Sequence, residues 1–147
     1  MAVKIETLML ANHAEAINGL LYISGGGWRH HWRPKPQGDE PVPPAPLGVA
    51  ISLLVPWADT NRKHSLALRL EREDGGEPLV KVDGEFEAGR PAGEPPGSDQ
   101  RAVLAMNLPI QYPSAGGYRV VAKVGQNEET SVSFVVHDQA PGVVIPG

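Results

Sequence analysis

The run Trp28-Arg29-His30-His31-Trp32-Arg33 gathers more side chains suited to recognition than any other stretch of this chain. On an extended segment successive side chains alternate between faces. Trp28, His30 and Trp32 are therefore expected on one side, with Arg29 and Arg33 on the other. Two indoles flanking an imidazole could form a stacking platform for a sugar ring, a base or a Pro-rich peptide. Arg29 and Arg33 could engage phosphate or carboxylate groups. Trp57, in the loop Pro56-Trp57-Ala58-Asp59-Thr60-Asn61, is the third indole and completes the candidate ligand-binding set. The competing reading, and the favoured one, is that the tryptophans pack against the interior or the neighbouring proline loop, because few other aromatic residues are available for a core.

The pair His30-His31, with His13, is the one histidine group that suggests a metal, and a metal-dependent hydrolase is the function it would serve. Adjacent strand residues point to opposite faces, so the pair cannot easily share one ion. No H-E-x-x-H spacing exists, and the chain has no cysteine. A surface pair with no metal or other cofactor is the expected outcome. Asp59 and Asn61 could open a calcium loop, but Arg62, Lys63 and His64 follow where acidic ligands belong, so turn capping explains them better. Gly25-Gly26-Gly27 lacks the spacing of a phosphate-cradling loop, and Ser24 before it makes no nucleophile elbow. Glu71, Glu73, Asp74, Glu85 and Glu87 alternate with apolar residues or sit in turns, and read as a solvated face.

The elements that must position these residues are short strands. Tyr118 to Val124 and Thr130 to Val136 alternate in polarity around the turn at 125–129, the pattern of an antiparallel hairpin. Tyr118, Val120, Ala122 and Val124 are expected to face one side, matched by Val132, Phe134 and Val136. Leu47 to Val55 is a nearly unbroken apolar run, as for a central strand buried on both faces. Ser65 to Arg72 alternates with Leu66, Leu68 and Leu70 inward. Further strands are expected at Val3 to Leu10, at Leu20 to Ser24 continuing through the glycines toward Arg33, at Leu79 to Ala88, and at Arg101 to Leu108. Ala11 to Gly19 reads as a helical turn closed by Gly19 or a wide connection, with a continuous helix from Glu6 to Ile17 as the competitor. The six prolines between Pro34 and Pro46 predict an extended loop.

This pattern predicts an all-β fold: a two-sheet antiparallel sandwich, immunoglobulin-like or related, of about eight strands. Residues 1–138 are expected to form a single domain carrying the Pro-rich loop 34–46, and 139–147 a flexible tail. A chain of 147 residues with 41% hydrophobic content can bury one sizeable core, and Gly 17 with Pro 15 suits many punctuated turns. The net charge of −4 argues against a nucleic-acid partner. Glu6 interrupts any secretory apolar segment, and no window is long and apolar enough to span a membrane. A soluble cytoplasmic protein follows as the expectation.

Three stretches carry a resemblance: Lys4 to Ala11 running through Gly25-Gly26-Gly27-Trp28, Leu54-Val55-Pro56-Trp57 to His64, and Gly84 to Pro91 continuing to Leu108-Pro109. In these the chain resembles an uncharacterised family of small bacterial proteins known only as a domain of unknown function. The resemblance spans most of the chain and implies one domain, but no activity or site residue. It draws attention to Asp99 and Arg101, expected to pin a long connection by local hydrogen bonds. The function expected is non-enzymatic: a protein-interaction or structural module that docks on a protein partner or self-associates. Small-ligand or carbohydrate binding through the tryptophans is the alternative.

Overall fold

The computed structural model describes residues 2–127 and 129–139. Among these, nine strands and one short 3-10 turn, Trp57–Asp59, account for the regular structure: β1 (Lys4–Ile17), β2 (Leu20–Gly26), β3 (His30–Pro34), β4 (Ala45–Val55), β5 (Lys63–Arg72), β6 (Val80–Glu87), β7 (Gln100–Ile110), β8 (Gly116–Val124) and β9 (Thr130–Gln139). They form an all-β, two-sheet sandwich, one sheet ordered β2-β1-β4-β7 and the other β3-β9-β8-β5-β6. Every pairing is antiparallel except one, in which β3 runs parallel to β9. No helix among the described residues is long and apolar enough to cross a membrane.

The core lies where alternation places it. Leu47, Val49, Ile51, Leu53 and Val55 of β4 meet Leu66, Leu68 and Leu70 of β5 and Val120, Ala122 and Val124 of β8. Each fully buried Leu, Ile or Val side chain contributes about 1.5–3 kcal/mol relative to exposure. The outward positions Gly48, Ala50 and Ser52 are buried too, as the unbroken run in β4 requires. In the β8–β9 hairpin Tyr118 lies opposite Phe134 and Val120 opposite Val132. The Tyr118 hydroxyl donates to the Ser114 carbonyl at 2.6 Å, tying the start of β8 to the loop before it.

Two elements depart from expectation. Ala11 to Ile17 is neither a helical turn nor a wide connection, and no helix runs from Glu6: β1 continues as strand through Ile17. Asn18 and Gly19 then turn the chain in two residues with φ of 51° and 75°. Both central residues of a type I′ turn need positive φ, which is why Asn-Gly sits there. The second departure is β3, which is a strand in its own right, separated from β2 at Gly27 and placed in the opposite sheet; it raises the strand count from eight to nine. The expected tail lies, from residue 140 on, outside the described residues.

Candidate functional site

Along β3 the side chains alternate: His30 and Trp32 face outward, while His31 is half-buried and Arg33 is 5% exposed. Trp28 lies before the strand begins, so the alternation does not extend to it. It turns inward, its ring edge-on to Phe134 at 5.3 Å and 6.2 Å from His31. The expected platform of Trp28 and Trp32 on one side is therefore absent. Trp28 instead packs against the core beside Phe134, the favoured reading of the sequence. Neither Trp28 Nε1 nor His31 Nε2 has a hydrogen-bond partner among the described residues. Burial holds the His31 imidazole below its ordinary pKa, and burial likewise pushes the Tyr112 phenol up.

Arg29 and Arg33 do not share a role either. Arg33 Nε donates to Asp138 Oδ1 at 2.6 Å and Nη1 to the Tyr112 carbonyl, so this guanidinium is committed inside the protein. Arg29 is exposed, and its carbonyl accepts the Val135 N–H at 2.9 Å, stitching the approach to β3 onto β9. On the outer surface Trp32 stacks on His137 with ring centroids 5.0 Å apart, and His30 stacks on His137 at 5.2 Å. His30 Nδ1 and His137 Nε2 lie within hydrogen-bond distance, 2.9 Å apart. His137 joins this stack because β9 lies beside β3, a long-range register that no local pattern announces.

Trp57 belongs to the other end of the sandwich. It precedes β5, whose Ser65 carbonyl bonds the Gly125 amide, whereas β3 aligns with Val135 to Gln139 at the opposite end. Arg90 lies over the Trp57 ring at 4.0 Å and donates to Thr60 Oγ1 and to the Trp57 carbonyl, so this indole is capped by the protein itself. Asn61 (φ 58°) turns the chain, its amide bonded to the Ala88 carbonyl, and the Asp59 carboxylate lies 3.7 Å from Arg62. His13 pairs with Glu15 on β1 at 2.9 Å, in a different sheet from His30 and His31. Among the described residues no group of three or more His, Cys, Asp or Glu is placed to hold a metal ion.

Glu6, Glu71 and Glu129 are paired with arginines on the sheet surfaces, and Glu85 lies 4.0 Å from Lys63. Glu71 accepts from Arg69 and Arg119, and Arg69 also donates to Glu129. The hydrogen bond from Arg69, then that from Arg119, holds the Glu71 carboxyl below the usual range. Arg101 does not pin its own loop: it donates from Nε and Nη2 to both oxygens of Glu6 on β1, at 2.7 and 3.0 Å. The loop is closed instead by Ser98, whose hydroxyl donates to the Pro95 carbonyl.

Among the described residues the most exposed apolar surface lies elsewhere, on the β1–β2 hairpin. β1 pairs with β4 only as far as Ala11 opposite Gly48. It then passes over Gly48, where a Cβ would lie 3.0 Å from the Ala11 carbonyl oxygen and 3.2 Å from the His13 carbonyl carbon. This close approach lets the Asn107 side chain on β7 reach Ala14, accepting from its N–H at 3.0 Å and donating to its carbonyl at 2.8 Å. Beyond that point only β2 accompanies β1. Ile17, Leu20, Tyr22 and Ile23 are 45%, 58%, 53% and 37% exposed.

β2 is also an edge strand, and among the described residues no charge or proline on it and no further strand beside it protects that edge. The other three edges carry charge or proline: Lys81, Asp83, Glu85 and Glu87 on β6, Arg101 and Pro109 on β7, and Pro34 on β3. The segment Leu20-Leu21-Tyr22-Ile23-Ser24-Gly25-Gly26 has neither. Such an edge is a template for strand pairing. The residues Ile17, Leu20, Tyr22 and Ile23 were not among the sequence candidates, although Asn-Gly between two apolar runs is the signal that finds them.

A search of curated proteins finds no match to this chain. The sequence does match a protein-family profile, described as a family of unknown function, over residues 6–137. By that match across nearly its whole length, the chain belongs to the family of unknown function DUF6941.

Proposed function

We propose that this protein is a cytoplasmic, non-enzymatic interaction module of the immunoglobulin-like type, and that it docks on protein partners through the β1–β2 hairpin. The carrying observation is that, among the described residues, one sheet edge alone is uncharged, free of proline and flanked by exposed apolar side chains. Strand addition to such an edge draws affinity from main-chain hydrogen bonds and specificity from the alternate side chains. Support for the immunoglobulin-like description comes from the order β1-β4-β7 facing β9-β8-β5-β6, and from the Tyr118 hydroxyl bonded four residues upstream, as in a tyrosine corner. The non-enzymatic reading is supported by the pairing of Glu6, Glu71 and Glu129 with arginines on open sheet surfaces. Neither a nucleic-acid nor a membrane partner is part of it.

Comparative capture from native lysate tests the reading. Wild type and Ile23→Lys are used as baits, with Trp32→Ala as the control on the other exposed surface. Proteins retained by wild type and Trp32→Ala but lost with Ile23→Lys are expected. Identical partners on all three baits would remove the hairpin from the contact.

A second reading, binding of a small ligand or sugar, is favoured by one observation: Trp32 is 38% exposed and stacked on His137. Quenching of Trp32 emission across a saccharide panel, abolished in Trp32→Ala, is the result it requires.

A further inference from the structure

We propose that the occupant of the β2 edge is a second copy of this chain, paired antiparallel across a two-fold axis at Tyr22. The inference rests on the docking reading above and names its partner. Backbone phase is the first argument. In a two-residue hairpin the residues closing the turn form a hydrogen-bonded pair, and such pairs alternate along the ladder. Ile17 with Leu20, Glu15 with Tyr22 and His13 with Ser24 are therefore bonded within the hairpin, while Ala14 and Ala16 point away from β2. The Asn107 contact agrees, since the Ala14 N–H and carbonyl are the groups it takes. By the same parity the N–H and carbonyl groups of Leu21 and Ile23 point out of the free edge. No backbone bond among the described residues engages them on that side.

Symmetry is the second argument. The two outward-facing residues flank Tyr22, so a two-fold axis there sets Leu21 opposite Ile23 of the other copy, and the reverse. All four outward groups of each strand are then satisfied, giving four hydrogen bonds between the chains. Centring the axis on Leu21 or Ile23 instead pushes one pair into the turn at Gly19 or onto Gly25 (φ 60°). In the Tyr22 register the two phenol rings meet as a non-hydrogen-bonded pair, the closer kind, and no charge meets a like charge, because β2 has none.

Stability and area set the scale. Past Ala14 the hairpin is a two-stranded ribbon, which is marginal in water without a third strand. At roughly 150–200 Å² for each large apolar side chain, the exposed fractions of Ile17, Leu20, Tyr22 and Ile23 leave on the order of 300–400 Å² per copy. A standard interface buries about 800 Å² per partner. The pair is accordingly a weak, concentration-dependent dimer that extends the four-stranded sheet to eight.

The absence of cysteine makes the register directly readable. Tyr22→Cys places two introduced thiols across a non-hydrogen-bonded pair with Cα atoms about 4.5 Å apart, within disulfide reach. Leu20→Cys separates them by about 13 Å, four residues along the strand. Under mild oxidation Tyr22→Cys is expected to cross-link at least about tenfold faster than Leu20→Cys, through the higher effective concentration of the paired thiols. Adding Ile23→Lys should remove the difference. Unmodified protein should sediment as a monomer–dimer equilibrium between about 5 and 500 µM, the range a small interface calls for. Equal cross-linking rates, or a strict monomer across that range, overturns the self-pairing. Capture that still depends on Ile23 would then leave hairpin docking standing with a different partner, whereas loss of both results removes the docking reading itself.

Discussion

Asn107 on β7 and Ala14 on β1 are joined by both ends of one side-chain amide, Oδ1 accepting the Ala14 N–H and Nδ2 donating to the Ala14 carbonyl. The contact stands in for a strand. Where β1 leaves β4, the amide of Asn107 supplies the donor and acceptor that a neighbouring backbone would have supplied. Asn107→Ala leaves both backbone groups of Ala14, a residue 1% exposed, without this partner. A loss of about 1–3 kcal/mol in chemical denaturation is expected. Amide exchange should accelerate in residues 13–24 and stay unchanged in the β8–β9 hairpin.

Gly48 makes that contact possible, and Gly48→Ala tests it from the other side. The added Cβ meets backbone atoms of Ala11 and His13 at 3.0–3.2 Å, which cannot swing away as a flexible side chain would. A cost of about 1–3 kcal/mol follows from overpacking. In the double variant with Asn107→Ala the two losses should be less than additive, because both release the same strand. Full additivity would show that the crossing of β1 over β4 is not one mechanical unit.

Arg33 is the anchor of β3. Arg33→Ala removes the partner of Asp138 and of the Tyr112 carbonyl together, and leaving that buried carbonyl without its donor costs about 1–3 kcal/mol. Asp138→Asn keeps an acceptor on a side chain that is 35% exposed, so its cost should be clearly smaller. Urea denaturation of the two variants checks the ranking. Equal losses would mean that the carboxylate charge, and not the Tyr112 carbonyl, carries the interaction.

Much of this architecture is legible in the chain because it is local. The β8–β9 hairpin and β5 follow from strict alternation, and β4 from its unbroken apolar run. What escaped is what depends on distant partners. Ala11 to Ile17 is rich in helix formers, yet β2 on one side and Asn107 on the other override that weak preference. The Asn-Gly turn was readable, but helix-closing Gly has the same letters. β3 needed its parallel register with β9 to be seen, and without it the alternation was carried one turn too far, to Trp28. Arg33 reads as a ligand-binding cation in the sequence because its partner Asp138 lies 105 residues away.

The indoles should report these different settings. In variants retaining a single tryptophan, Trp28, packed edge-on against Phe134, should emit to the blue and resist acrylamide, while Trp32 should emit to the red and quench readily. Phe134→Ala, at a position 2% exposed, should cost about 3–5 kcal/mol and shift the Trp28 emission toward the red. Trp32→Ala should change stability by no more than about 1 kcal/mol, as expected for an exposed side chain. A red-emitting, easily quenched Trp28 would return that residue to the surface.

Stability should also fall in two separate steps as the solution is acidified, and the order identifies the groups. Burial lowers the His31 pKa from its ordinary 6.5, so between the folded and unfolded values the unfolded chain binds the extra proton. Stability therefore declines as pH drops through about 6.5 and levels off once pH passes below the folded value. Glu71 follows at lower pH: its carboxyl is held down by hydrogen bonds from Arg69 and Arg119, so its contribution is present above the ordinary carboxylate range and is lost as that range is crossed. His31→Phe should flatten the first step and leave the second, while Glu71→Gln should leave the first and reduce the second, which Glu71 shares with Glu6 and Glu129, each held down by an arginine. Urea midpoints at pH 7.5, 5.5 and 4 separate the two, and a first step that survives His31→Phe would assign it to another histidine.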